Sequence, residues 1–270
     1  MRIKFVQEVI DKIRKKSSKK KEKFEFEKNA LINNGFLLED NILTSPNALK
    51  FYNSYQAFYI LWEIFVRGDY NIINNKDSIF IDIGMNEAFV TLYYSKKTNI
   101  KKVYSFEPFN PTYKSALKNI DLNSGVKPKI TTFLCGLGYE NEEFEIAYCK
   151  EEAGNMSVVK DRLKEIKLTD YADVTMEKVK IRKASEMIFP IIHSHPDEKK
   201  ILKIDTEGSE FGILKDLDEN NLLSKFDIIM LEYHFKSPKE LEDRLTNNGF
   251  TVFYNNYTES AKVGMLYAIK

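Results

Sequence analysis

Beyond residue 77 the chain alternates short apolar runs with stretches of helical periodicity. The runs at 78–83, 102–106, 129–135, 200–204 and 227–232 have strand length, and their near-continuous apolar character suits strands covered on both faces. Segments near 88–97, 111–123, 209–217 and 237–248 place apolar residues at helical spacing. Strands alternating with helices predict an α/β domain, a mostly parallel sheet with helices on both faces. The chain closes differently, with two strands near 249–254 and 263–269 that predict an antiparallel carboxy-terminal hairpin.

Two regions fall outside this rhythm. Asn53 to Val66 reads as a helix crowded with Tyr55, Phe58, Tyr59, Trp62 and Phe65, with Gly68 past its end, and divides the chain into a helical extension and cap (1–76) and an α/β domain (77–270). Between 140 and 199 the alternation breaks. Phe144–Lys150 and Ser157–Lys160 read as short strands around a Gly154–Asn155 turn, followed by an extended segment at Val174–Ile181. An insertion at the carboxyl edge of the sheet lies where open α/β folds bind ligands, so it is the candidate for substrate selection, with Asn155 and Ser157 as candidate contacts. Structural filler is the plainer alternative.

Composition narrows the class. With 270 residues, 43% of them apolar, the chain can bury one large core, or one core and a small extra module. No apolar run is long enough to span a membrane and no leader pattern opens the chain, which points to a cytoplasmic protein. Cys135 and Cys149 fall in strands without metal-type spacing and read as reduced core thiols. The net charge of +1 hides an asymmetry, because Arg14–Lys23 carries seven bases and one acid. Ile3, Val6, Val9, Ile10 and Ile13 recur at helical spacing just before it, a pattern open to peripheral contact with an anionic membrane but read more plainly as a solvated lead-in helix. No aromatic residue interleaves with the bases, which argues against nucleic acid.

The candidate chemistry begins where the first apolar run breaks, in Ile79-Phe80-Ile81-Asp82-Ile83-Gly84-Met85-Asn86-Glu87-Ala88, with Glu107 ending the next strand. Gly84 lets the backbone leave the strand sharply, and an acid at that distance can hold a ribose. A dinucleotide fingerprint needs glycines where Asn86 and Phe89 stand, so the pattern favours S-adenosylmethionine, which has no pyrophosphate, over a nicotinamide cofactor.

A second cluster ends the fourth strand, where Lys203, Asp205 and Glu207 precede Gly208 and Glu210. Three ionisable groups ending an apolar strand are costly unless paired or used, and Glu210 suits a helix start. The fifth strand opens onto Glu232, Tyr233 and His234, candidate acceptor contacts and base. A neutral histidine can take a hydroxyl proton, which makes His234 the first candidate base, with Asp205 or Glu207 next. Histidine capping a strand is the structural alternative. His193, His195 and Asp197 read as an exposed connector rather than a metal site, and Asp205 with Glu232 is a weak Mg²⁺ signal without a neighbouring acid pair, so no metal is assigned.

Four segments in order, IDIGMNEAFVTL, VYSFEPFNPTYKSALKNIDLN, ILKIDTEGSEFGIL and IIMLEYH, resemble the FkbM-type class I methyltransferases, over about residues 60 to 255. The resemblance implies a Rossmann-like, mostly parallel seven-stranded sheet and S-adenosylmethionine-dependent O-methylation. Such enzymes commonly methylate sugars or polyketide-type hydroxyls, and the resemblance implies here a sugar acceptor, a sugar nucleotide or glycan precursor for a capsule or surface polysaccharide. Carried onto this chain, it puts Asp82, Gly84 and Asn86 at the donor's methionine part, Glu107 at its ribose and Phe109 at its adenine. Met85, Pro108, Cys135, Gly136 and Asp205 complete the expected donor set, Asp205 and Glu207 would lie beside the transferring methyl, and Lys203, on the same strand face as Asp205, is a further catalytic candidate. Met85 replaces a usual small residue, and Ala88-Phe89 follows Glu87 where the family commonly has a glycine. A non-catalytic binding or scaffold protein is the rival reading, and a nicotinamide oxidoreductase the next.

Overall fold

The structure is a computed structural model that describes residues 21–54, 56–149, 156–158, 174–257 and 262–270. Two compact units divide at Asn71/Ile72. The basic amino-terminal segment before residue 21, the Gly154–Asn155 turn and Asn155 itself lie outside the described residues.

In the first unit, helix α1 (21–33) is followed by three short antiparallel strands, β1 (Leu37–Glu39), β2 (Ile42–Thr44) and β3 (Lys50–Tyr52). These strands were not part of the helical extension and cap expected for 1–76. Three-residue strands are too short for an alternating pattern to stand out, and what makes them is turn chemistry, with Asp40 at φ 51° between β1 and β2. The expected aromatic helix is present as α2 (Ala57–Trp62), widening into a π-turn at Glu63–Arg67 and stopping at Gly68 with φ 79°. Phe36, Leu43, Phe51, Phe58 and Leu61 are buried.

The second unit carries a seven-stranded sheet. In chain order its strands are β4 (Ser78–Ile83), β5 (Ile100–Phe106), β6 (Ile130–Phe133), β10 (Lys199–Ile204), β11 (Ile228–His234), β12 (Thr251–Asn256) and β13 (Val263–Ile269), and in space they run β12-β13-β11-β10-β4-β5-β6. The pairs from β6 to β11 are parallel, and β13 inserts antiparallel between β11 and β12. Helices α3 (Phe89–Ser95), α4 (Asn110–Asp121), α6 (Glu210–Glu219) and α7 (Lys239–Asn247) connect the strands, and every expected core element lies within two residues of its sequence-derived boundary. Parallel strands need such crossovers, and burial of all six residues of β4 explains why Ser78 and Asp82 are its only polar positions. Gly264 on β13 is required by packing, since a Cβ there would stand 2.5 Å from the Tyr233 hydroxyl.

The insertion builds its own three-stranded sheet from β7 (Gly136–Gly138), β8 (Glu142–Cys149) and β9 (Val174–Lys183), in the order β7-β9-β8. Helix α5 (Ala184–His193) then returns the chain to β10 and buries Ile188, Ile191 and Ile192 in the main core. No helix was expected there, because Pro190 inside it lacks an amide donor and reads as a breaker. Cys135 and Cys149 are buried free thiols.

Candidate active site

The carboxyl ends of β4, β5 and β10 are laced together. Gly84 and Met85 donate their amides to the Phe106 carbonyl at 3.1 and 2.9 Å, and Asp205 donates its amide to the Ile83 carbonyl at 3.0 Å. The chain then turns through three left-handed positions, Gly84 (φ 89°), Asn86 (φ 51°) and Ala88 (φ 70°). Asparagine is among the few residues that tolerate this region, which gives Asn86 a backbone reason as well as a polar one. Its Oδ1 accepts the Glu87 amide at 2.7 Å.

Beside this turn lies a cleft with polar and apolar lining, the mixture that small-molecule sites use. Its polar lining comes from Gly84, Asn86, Asp205, Thr206, Glu207 and Ser209, and its apolar lining from Pro108, Phe109, Gly136, Leu137, Met156 and Val158. Glu107 stands in the wall, its Oε2 accepting the Asn86 amide and its Oε1 the Phe109 amide, each at 3.0 Å. Burial pushes its pKa up to about 8, against the pull of those two amides. Phe109 packs at a tilt on Tyr148, ring centres 5.4 Å apart, and Tyr148 shares a 2.9 Å hydrogen bond with Thr112.

The opposite lip is the loop after β10. Glu207 has φ 53°, and the loop is knotted by Glu210, whose Oε1 accepts the amides of Thr206 and Gly208 and the Thr206 hydroxyl. The same oxygen lies 3.1 Å from His234 Nδ1, while His234 Nε2 is 3.7 Å from Glu207 and 3.8 Å from Glu232. Burial alone would lower the imidazole pKa. The hydrogen bond to Glu210 and the charges of Glu207, Glu210 and Glu232 outweigh it and raise it to about 10. A ring protonated on both nitrogens has no lone pair for the base role expected of His234. Glu210, expected only at a helix start, is fully buried and organises the whole lip. Its signal in the sequence was an acid placed to reach back over Asp-Thr-Glu-Gly to that loop's own amides.

Under the floor Lys203 donates to the Gly84 carbonyl at 2.6 Å, and its ammonium is 3.1 Å from Asp82 and 3.6 Å from Asp205. Burial would lower its pKa, but the two carboxylates prevail and keep it raised. Asp82 is fully buried and accepts the Thr91 hydroxyl at 2.6 Å.

The family model for the methyltransferase FkbM domain matches residues 82–252. The chain belongs to the FkbM methyltransferase family. It is 27% identical over 173 residues to Methyltransferase 1 of Beauveria bassiana, covering 60% of this chain and 68% of that protein. It is 28% identical over 202 residues to methyltransferase sdnD of Sordaria araneosa, covering 66% and 76%. Among solved structures, an FkbM methyltransferase from Methylobacillus flagellatus KT is 15% identical with a TM-score of 0.48, the match covering 76% of this chain and 46% of that one. This chain thus spans less than half of that protein's length.

As an FkbM methyltransferase the protein is S-adenosylmethionine dependent. Its cleft fits that donor. Its lining offers polar groups at Gly84, Asn86 and Asp205 and an apolar slot of Pro108, Phe109 and Leu137. A side chain at Gly136 would narrow the slot, since a Cβ there would meet Ile181 at 2.8 Å and Pro108 at 3.3 Å.

The expected site residues fall into three groups. Gly84, Asn86, Glu107, Pro108, Phe109, Gly136, Asp205 and Glu207 line the cleft. Asp82, Met85, Cys135 and Lys203 are buried behind its walls, so they act on a ligand only by holding the lining residues. Met85, at 2% exposure, places its bulk in the core and not in the donor space. Tyr233 departs from its expected acceptor role, because strand alternation turns it to the opposite face from Glu232 and His234, fully buried and hydrogen-bonded to Asn256 at 2.5 Å. Ser157 is buried and donates to the Glu207 carbonyl at 2.5 Å, tying the insertion to the lip. His193 and His195 turn to different partners, the Phe189 carbonyl and the Tyr104 hydroxyl, each at 2.8 Å.

Proposed function

We propose that the protein O-methylates a hydroxyl of a sugar, on a sugar nucleotide or glycan precursor destined for a capsule or surface polysaccharide. The observation that carries this reading is the lip itself, where Asp205 and Glu207 line the cleft beside Glu232 and His234. Carboxylates accept hydrogen bonds from hydroxyl donors, and a set of them at one edge suits a polyhydroxylated acceptor. When bound, S-adenosylmethionine supplies an electrophilic methyl on a sulfonium, which leaves as a neutral thioether. Glu207 accepts the hydroxyl proton as the oxygen attacks, and His234 holds Glu207 in place with its positive charge. Glu210 fixes His234, and Lys203 fixes the Gly84 turn and Asp205 together. A cytoplasmic setting and peripheral membrane contact through the basic segment at 14–23 belong to the same proposal.

Incubating the full chain with methyl-deuterated S-adenosylmethionine and a panel of sugar nucleotides tests it. Label in an ether-linked methyl on one sugar hydroxyl is expected. Label only in protein, nucleic acid or amine acceptors would sink the reading, and donor binding without turnover on any acceptor would favour the scaffold alternative.

A further inference from the structure

We propose that Asp205, Glu232 and His234 form a binding site for a hard divalent cation, of the Mg²⁺ or Mn²⁺ class, at the carboxyl edge of the sheet next to the donor cleft. The sequence assigns no metal here, and the inference does not depend on the acceptor being a sugar.

Three side chains from two adjacent strands each bring a ligand atom within 4.8 Å of the others. The parallel register explains the meeting, since Ile204 on β10 pairs with Leu231 on β11 and the next residues on each strand are Asp205 and Glu232. In an octahedral site with metal–ligand distances near 2.1 Å, neighbouring ligand atoms stand about 3 Å apart and opposite ones about 4.2 Å. The 3.8 Å between His234 Nε2 and Glu232 lies between these two separations, so small rotations of the side chains suffice.

His234 supplies the independent sign of a ligand. Its side chain is 5% exposed, Nδ1 is held by the buried Glu210, and Nε2 faces Glu207 at 3.7 Å and Glu232 at 3.8 Å. A ring fixed through one nitrogen by a carboxylate, with the other aimed at a pair of acids, is the outer-shell arrangement that orients a metal-binding histidine. Glu210 is in turn fixed by the Thr206 and Gly208 amides, so the orientation is built into the loop. A cation there would take the place of the proton on Nε2.

Charge points the same way. Asp205, Glu207, Glu210 and Glu232 surround His234 or the adjacent lip, while the nearby Lys203 is also engaged by Asp82 and the Gly84 carbonyl. Two carboxylates and one imidazole leave open positions toward the cleft that Asp205 lines, where water or an acceptor hydroxyl can bind. A hydroxyl on the ion would lose its proton more readily, which gives the site a use in methyl transfer.

The test is a Mn²⁺ titration of the chelator-treated full chain, with free Mn²⁺ read by electron paramagnetic resonance, alongside S-adenosylhomocysteine binding by calorimetry. One saturable site is expected, competed by Mg²⁺, weakened by about tenfold or more in Glu232→Gln and unchanged in Glu240→Gln on exposed α7. Glu232 is partly exposed, so its variant is expected to fold, and circular dichroism checks that. His234→Gln is the second variant, and if it fails to fold Glu232→Gln alone decides. No saturable Mn²⁺ binding, or binding equal in wild type and Glu232→Gln, would overturn the site. S-adenosylhomocysteine binding without Mn²⁺ binding would do so while leaving the methyltransferase reading intact.

Discussion

The Asp205 carbonyl oxygen lies 1.7 Å from where a Cβ on Gly84 would stand, so two loops that follow neighbouring parallel strands touch backbone to backbone. Gly84 also sits at φ 89°. Its substitution therefore meets a backbone atom that cannot swing away, and a conformation that L side chains rarely adopt. Gly84→Ala is expected to lower stability by about 3 kcal/mol or more and to abolish donor binding. Denaturant melts and calorimetry with S-adenosylhomocysteine measure both; a variant with wild-type affinity would refute the close approach.

Lys203 joins the two loops from below. Removing one member of a buried ion pair leaves an uncompensated charge, so Lys203→Met is expected to cost about 3–5 kcal/mol. Adding Asp82→Asn to it should recover part of that loss. Additive losses in the double variant would show that the two side chains are not coupled.

Glu107 provides a pH test. Its folded pKa is raised, so its contribution is fully present below about 4.5, the unfolded value, and is lost as pH rises toward and through about 8. Comparing wild type with Glu107→Gln without donor isolates that group. The stability difference in favour of wild type should shrink by a few kcal/mol, to order of magnitude, between pH 5 and 8. A difference that stays constant across this range would mean Glu107 ionises as in the unfolded chain. The same variant should bind S-adenosylhomocysteine about tenfold more weakly or worse if Glu107 holds the ribose.

Glu207 separates proton transfer from binding. Glu207→Gln keeps shape and hydrogen bonding but removes the proton acceptor, and kcat is expected to fall by about a hundredfold or more with donor affinity within about threefold. An unchanged kcat would move the base elsewhere on the lip.

Much of this is legible in the sequence alone. The mostly apolar run at 79–83 suits a strand covered on both faces, and Gly84 after it suits a sharp turn. Asn86 at a left-handed position shows why the missing glycine did not prevent the turn. Ala88 at φ 70° marks the commonly occurring glycine as a conformational requirement that this chain meets with strain. The short sheet at 37–52 and helix α5 stayed hidden, the first because its strands are too short to show a period, the second because Pro190 masks it.

Local pattern along the chain was enough for the parallel core, the reversed last strand and the two acid-bearing loops, because strand and helix periodicities are properties of neighbouring residues. Which of the acids line the cleft was decided only by tertiary structure. Strand register drew Asp82 and Lys203 into a buried pair behind the cleft, and packing turned Tyr233 to the far face. The charge on His234 depends on three carboxylates, Glu207, Glu210 and Glu232, brought together from two strand ends, and such a field arises only when the chain has folded.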